Sequence, residues 1–430
     1  MEESMAKTVR MSNLKKAYRY CRKNGVLPTF YAALERIQDR NMHYEKRIIT
    51  EEELEVQKQR VWEEAECFSI LVPAYETKLQ HFHEMIDSVL TQTYERFELI
   101  IADASPSDKL SEELQYYNDS RIRYLKLPEN RGISGNTNAA LEAATGSYIA
   151  LLDHDDTLEQ DALYRMMEAV WEGRTKRGTA PSLLYSDEDK CDGDMTCFYE
   201  PHIKGGFNLD LLLSNHYICH FLVMEARLMK DLCLRGEYDG AQDHDLVLRA
   251  AGVLREEQIV HIPHILYHWR CHTGSTAENP DSKLYAYEAG RRAVADFCRQ
   301  QGWNVHVTHT EHLGFFRVEY ERDIFRQRTD LAAVGGRILC RGRIAGGAYG
   351  EDGKILYEGL PGHFSGYMHR AVLQQDVAAV DLRCCRVRDE LLPLLERIRK
   401  EETQPEAAAL RFGREVTGMG YRILWDPFMK

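Results

Sequence analysis

From Cys67 onward, short apolar runs alternate with amphipathic stretches, and this alternation constrains the fold more than any other feature of the chain. Phe68 to Val72, Phe97 to Ala102, Ile122 to Leu127 and Tyr148 to Leu152 read as strands. Leu79 to Leu90, Asn136 to Ala144 and the stretch from Leu158 to Trp171 read as helices. Strands interleaved with helices pack as a parallel sheet with crossover helices. Residues 1 to 65 lack this pattern and read as a helical extension, with one helix opening on Glu51-Glu52-Glu53 behind Thr50 as its cap.

Ligands of open α/β sheets bind at the carboxyl ends of the strands, so the polar residues that follow each apolar run are the candidate site. They are Pro73-Ala74-Tyr75-Glu76, Asp103, Asn130-Arg131-Gly132 and Asp153-His154-Asp155-Asp156. The last cluster sets three carboxylates where a buried strand ends, and like charges this close repel unless a cation or a proton compensates. Hard carboxylate oxygens suit Mg2+ or Mn2+, and Mg2+ commonly shares its shell with substrate phosphates. A competing structural reading makes Asp156-Thr157-Leu158-Glu159 a helix capping box. Neither the G-x-G-x-x-G of dinucleotide enzymes nor the G-x-x-x-x-G-K of a P-loop is present. Gly132-Ile133-Ser134-Gly135, leading into a helix, could present backbone N–H groups to a phosphate, or simply make the turn.

Composition narrows the class. With 430 residues, 44% of them hydrophobic, the chain can bury one large core and smaller ones. No apolar stretch approaches the ~18 residues that span a bilayer, and Met1 to Arg10 lacks a signal-peptide core, so a cytoplasmic protein is expected. The eleven cysteines show no C-x-x-C pair, which points away from a zinc site or a disulfide framework. A net charge of −13 disfavours nucleic acid as a partner and suits an enzyme that takes phosphates through a metal. Locally, Lys7, Arg10, Lys15, Lys16, Arg19, Arg22 and Lys23 form a basic stretch. It reads either as a solvated helix face or as a peripheral contact with the inner face of an anionic membrane.

In order, the motifs resemble those of family 2 glycosyltransferases, inverting nucleotide-sugar enzymes with an A-type fold. The resemblance is carried by Ser69 to Tyr75, although Glu76 stands where Asn is usual, and by Ile101 to Ser105, Glu129 to Gly132 and Leu152 to Asp156. It continues through Tyr185 to Lys190, Gln242 to Leu246, and His261 to Arg270 with His272, Ser275 and Thr276, covering roughly residues 66 to 310. It implies an A-type glycosyltransferase fold: a mixed Rossmann-like sheet flanked by helices over residues 66–320. By resemblance Pro73, Tyr75, Asp103, Arg131, Asp153 and Arg270 contact the nucleotide-sugar donor. Asp153, Asp155 and His272, with His268 in reserve, hold Mn2+ or Mg2+, and Asp243 is the general base. Asp243 could otherwise be a helix N-cap, and Asp245 is assigned helix support or acceptor contact. Asp187, Glu188 and Asp189 read as sugar contacts or a solvated turn.

One carboxylate base with a metal in place of a general acid implies a single displacement with inversion. The implied substrates are a nucleotide-sugar, UDP-linked, and a cell-surface polysaccharide or lipid-linked glycan acceptor. Residues 325–430 look like the later half of a second such domain, through Ala333 to Leu339, Gly350 to Ile355 and Gly420 to Pro427. This half is degenerate, because Leu410-Arg411-Phe412-Gly413-Arg414 carries no acidic pair where a base helix is expected. The alternative reading of the whole chain is a non-catalytic scaffold of a polysaccharide assembly complex.

Overall fold

The computed structural model describes residues 18, 20–22, 24–36, 44–271 and 284–429, with the backbone alone over 37–39. These divide into two compact units: one of residues 44–207 and 216–302, the other of residues up to 43, 208–215 and 303 onward.

The first unit is built on one mixed sheet. Its strands are β1 (Phe68–Ala74), β2 (Phe97–Asp103), β3 (Ile122–Lys126), β4 (Tyr148–Leu151), β5 (Thr157–Leu158), β6 (Leu183–Asp192), β7 (Phe198–His202), β8 (Leu222–Glu225) and β9 (Ile259–Cys271). They lie in the order β3-β2-β1-β4-β8-β6-β9-β5, with β7 paired to β6. The first four are parallel, in the register Ala74↔Asp103↔Lys126 and Leu71↔Leu151, so their carboxyl ends share one edge. β8 runs antiparallel to both β4 and β6, which makes the sheet mixed.

β1 is buried on both faces, which is why its sequence is a continuous apolar run. On one side Phe82, Met85, Ile86 and Val89, spaced three and four apart on helix Leu79–Leu90, pack with Leu163, Met166, Met167 and Val170 of helix Ala162–Arg177 against Ile70, Val72, Leu99 and Ala150. Full burial of each such side chain contributes about 1.5–3 kcal/mol.

The helix expected from Leu158 starts only at Ala162, because Thr157 and Leu158 pair with His268 and Tyr267 as an edge strand. Residues 44–65, read as the end of an appendage, belong to this unit. Thr50 and Glu53 form the expected capping box, with Thr50 Oγ1 accepting from Glu53 N–H at 3.2 Å and Glu53 accepting from Thr50 N–H at 2.9 Å. The buried Asp161 carboxylate ties the segment down by pairing with both Arg47 (3.0 Å) and Arg165 (2.9 Å).

The second unit has a four-stranded sheet in the order Gln375–Asp376, Arg422–Trp425, Leu331–Gly335, Cys385–Val387. Helices Leu392–Glu401 and Pro405–Gly418 cover it through Leu395, Ile398, Phe412 and Val416. The hairpin Val305–His309/Phe316–Tyr320 and helix Leu209–Ser214 also belong here, although both fall within the span 66–320 read as one domain. The helix is tied in by Asp210, which accepts from both terminal nitrogens of the buried Arg328 guanidinium at 2.8 and 3.0 Å, and by the Ser214 hydroxyl, which donates to the Gln374 carbonyl at 2.9 Å.

Candidate active site

The turn after β4 is held open by β9. Asp156, 1% exposed, accepts from the Tyr267 hydroxyl at 2.6 Å and from the Arg270 N–H at 2.8 Å. It is therefore an internal strut of the turn and not the helix cap of the competing sequence reading. Arg270 is equally buried. Its Nε donates to the Asp155 carbonyl at 2.6 Å, and its Nη1 donates to the Gly193 carbonyl at 2.9 Å and pairs with Glu84 at 2.7 Å. That guanidinium fixes the loop. Asp153 and Asp155 remain half-buried at its tip. Burial, followed by Asp155 and Asp243, raises the Asp153 pKa against the opposing pull of His220 and His154. Burial with Asp155 and Asp153 beside it lifts Asp156 well above the carboxylate range.

Asp243 opens helix Gln242–Ala251 with its side chain 25% exposed. Its Oδ1 accepts from the His244 N–H at 2.9 Å, and its Oδ2 lies 3.3 Å from His216 Nε2. Burial opposes its charge, but the His216 and His220 rings overcome this and hold the carboxyl below its ordinary value. His216 answers in kind: burial disfavours its proton, yet Asp243 and Cys219 raise its pKa to about 9. Asp153 and Asp243, far apart in the chain, thus act on one another's charge, and His220 acts on both. Asp245 is buried and gripped by Arg235 and by Arg249 (2.8 Å), which makes it the helix support.

Sequence reasoning missed the segment His216 to His220. His220 stacks on Tyr267 with centroids 4.4 Å apart and planes 8° from parallel, and its Nδ1 lies 2.9 Å from Glu188 Oε2. The only sequence signal was the spacing His216-x-x-Cys219-His220, which falls within a stretch that reads as neither strand nor helix. Nor do Asp187, Glu188 and Asp189 form a solvated turn. They lie buried in β6, with Asp187 paired to His261 (2.7 Å), Glu188 to His202 (3.1 Å) and Asp189 to His268 (2.6 Å). His268 is thereby fixed between Asp189 and Glu159.

Among the described residues, two groups of three bring potential ligand atoms within 4.8 Å: His216/Cys219/Asp243 and Glu188/Cys219/His220. Both include a thiol, a soft donor unlike the oxygen set Asp153/Asp155. Those two aspartates supply the hard donors that Mg2+ or Mn2+ takes, and Asp155 raises Asp153 as a like charge that a cation would relieve. His272, Ser275 and Thr276 lie outside the described residues, as do most of the basic residues of the N-terminal stretch.

On the other strand ends, Asp103 is fully buried and accepts from Ser105 N–H (2.8 Å), Tyr124 hydroxyl (2.7 Å) and Lys126 Nζ (3.2 Å). Pro73 is half-buried, while Tyr75 and Arg131 are exposed, with Arg131 Nε on Glu129 at 2.9 Å. The helix after Arg131 does not present a free N-terminus: the Asp239 carboxylate accepts from Ser134 N–H at 3.2 Å. A Cβ on Gly132, at φ +75°, would meet an Asp239 oxygen at 2.2 Å, so the glycine is needed for this approach.

With this geometry in view, residues 69–200 match the model of the family described as glycosyl transferase family 2. An uncharacterized protein of Sinorhizobium fredii, y4gI, is 38% identical over 233 residues, 53% of this chain and 25% of its own length. The O-antigen biosynthesis protein RfbC of Myxococcus xanthus is 31% identical over 258 residues, 59% of this chain and 19% of its own. The Escherichia coli UDP-Glc:alpha-D-GlcNAc-diphosphoundecaprenol beta-1,3-glucosyltransferase WfaP is 40% identical over 91 residues, 21% of this chain and 36% of its own. The chain thus spans a quarter or less of the first two relatives. The matched residues lie in the unit built on the mixed, helix-flanked sheet that the sequence resemblance implies.

Proposed function

Taking residues 69–200 as a family 2 glycosyltransferase domain, we propose that the protein is an inverting glycosyltransferase. In this reading it moves a sugar from a UDP-linked donor to a lipid-linked or cell-surface glycan, using Mn2+ or Mg2+. The observation that carries the reading is that Asp153, at the end of β4, and Asp243, at the start of a helix ninety residues on, influence one another's charge and share His220 as a neighbour. A relative named for UDP-Glc and a diphosphoundecaprenol acceptor supports the substrate classes.

Asp243 takes the proton of an acceptor hydroxyl as that oxygen forms its bond to the anomeric carbon. The bond from that carbon to the nucleoside diphosphate breaks on the opposite face, so configuration inverts. A cation held by Asp153 and Asp155 would supply Lewis-acid neutralisation of the departing diphosphate. His216 keeps Asp243 ionised and aimed, and Tyr267 with Arg270 keeps the aspartate turn in shape. Asp103, Tyr75, Pro73 and Arg131 form the donor's nucleotide side. No helix among the described residues is long and apolar enough to cross a membrane. We assign the work to the cytoplasmic face, with a lipid-linked acceptor reached from the aqueous side.

Calorimetric titration of UDP, GDP, CDP and dTDP with and without Mn2+ tests this reading. Metal-dependent preference for UDP is expected, and it is lost in Asp153→Asn/Asp155→Asn. Absence of binding by all four nucleotides would sink the proposal and restore the scaffold reading.

A further inference from the structure

The second unit holds a cleft of about 540 Å3, within the size range of small-molecule sites. Tyr20, Tyr31, Arg317, Arg337, His363 and Phe428 line it. Arg337 follows strand Leu331–Gly335, and its Nη1 is buried and donates to no protein atom. Burial lowers the Arg337 pKa, and no carboxylate acts in the other direction. Arg337 makes no ion pair with any described residue. Nε of Arg317 is buried in the same state, while its Nη1 meets Glu319 at 2.8 Å and its guanidinium lies over the Phe428 ring at 4.4 Å.

A guanidinium stays charged in a protein, and Arg337 is half-buried with Nη1 shut off from both solvent and protein acceptors, so this arrangement costs stability unless something else supplies the anion. Two acids also line the cleft, and neither pairs with Arg337: Glu311, and Glu35, whose two oxygens accept from the Ser365 hydroxyl at 2.9 Å and the Gly366 N–H at 2.8 Å. The fully buried arginines described above each have a carboxylate: Arg270 has Glu84, and Arg328 has Asp210. Arg337 differs from both, and it faces a cleft.

The planar fork of a guanidinium matches a carboxylate or a phosphate. Tyr20, Tyr31 and Phe428 add flat apolar surface, against which the C–H faces of a pyranose can pack. Stacking of Tyr31 on His363, centroids 4.7 Å apart and planes 8° from parallel, holds that surface rigid. We propose that this cleft is a saccharide site distinct from the sheet-edge site, taking an acidic sugar whose carboxylate or phosphate is held by Arg337 and Arg317. The choice of a sugar rests on the glycosyl-transfer reading, in which an acceptor glycan must be held while one of its residues is modified.

The test uses the full chain titrated with glucuronate, glucose 6-phosphate, glucose and inorganic phosphate, followed by calorimetry or ligand-observed NMR. Glucuronate or glucose 6-phosphate is expected to bind at least tenfold tighter than glucose and than inorganic phosphate, and the tighter of the two identifies the anion as carboxylate or phosphate. Arg337→Gln is expected to weaken that binding at least tenfold while leaving the melting temperature equal or higher, because an unpaired, half-buried charge has been removed. A purely structural arginine would give the reverse, a lower melting temperature with unchanged binding, and would overturn the proposal. Arg317→Gln, read in the same way, provides a second variant. Equal binding of glucose, or of inorganic phosphate alone, also overturns it. UDP binding measured on the same samples separates the two readings: UDP retained with no acidic sugar bound ends this inference, whereas acidic sugar bound without UDP ends the transferase reading.

Discussion

Glu98 and Asp153 stand at opposite ends of the same set of parallel strands and meet opposite environments. Glu98, 8% exposed at the amino end, accepts from the Ser69 hydroxyl (2.6 Å), Thr145 N–H (2.6 Å), Thr145 hydroxyl (2.9 Å) and Arg123 (2.5 Å). Burial opposes its charge, yet these donors bring its pKa down to about 2. At the carboxyl end, burial and the neighbouring Asp155 and Asp243 push Asp153 up, with two histidines as the counterweight. A buried carboxylate whose lone pairs are filled by its own fold is structural. One kept beside its like, with only part of the compensation built in, is available to a ligand.

The sharpest break of this comparison is Asp243→Asn. Sugar transfer is expected to fall about 1,000-fold, within the range for loss of a general base, with nucleotide affinity unchanged. A loss of less than tenfold would place the base elsewhere. Next, Asp153→Asn with Asp155→Asn is expected to cost on the order of 100-fold in nucleotide affinity with Mn2+ present. Because repulsion is relieved, thermal melting should show equal or greater stability. Glu98→Gln inverts the pattern: nucleotide titration should find normal affinity, while urea unfolding finds about 2 kcal/mol less stability.

That Glu98 contribution also has a pH signature. Its folded pKa is depressed, so the stabilisation is present above pH 4.5 and is lost as pH falls through about 2, where the variant and the parent should converge. The smallest expected effect belongs to His216→Gln. His216 is raised to about 9, so its stabilisation is complete below pH 6.5 and disappears as pH rises through about 9. Unfolding curves should therefore differ by about 1–2 kcal/mol at pH 6 and by little at pH 10. A difference that grows with pH would mean that the imidazolium–carboxylate pair is not what His216 contributes.

β1, β2 and β4 were legible because they are buried on both faces, and burial on both faces leaves an uninterrupted apolar run; β5 to β8 were not read, since they lack such a run or lie outside the alternating pattern. Helix Leu79–Leu90 was legible for the complementary reason, a 3.6-residue apolar period. The run from Leu158 misled because Thr157 and Leu158 continue an apolar pattern while pairing with β9, and pairing is not visible in a local window. Asp156 misled in a related way. Its capping-box spacing is real, but the Tyr267 hydroxyl and the Arg270 N–H reach it from a strand distant in sequence and occupy its oxygens. The acids of β6 looked solvated because nothing near them in sequence is basic except Lys190, whereas their histidine partners arrive from β7, β9 and the segment before β8.

The sequence by itself determined the four parallel strands, the edge on which polar residues gather and the aspartates that end the fourth strand, because these follow from the order and polarity of neighbouring residues. Only the tertiary structure decided which ionisable groups are partnered. It closed Asp239 over the helix start at Gly132, turned Arg270 and Asp156 into supports, set His216 against Asp243, and left Arg337 beside a cleft with no carboxylate of its own. Partnering is a matter of a few ångströms between residues remote in the chain, and electrostatic interaction depends on that distance and on burial, neither of which a linear pattern encodes.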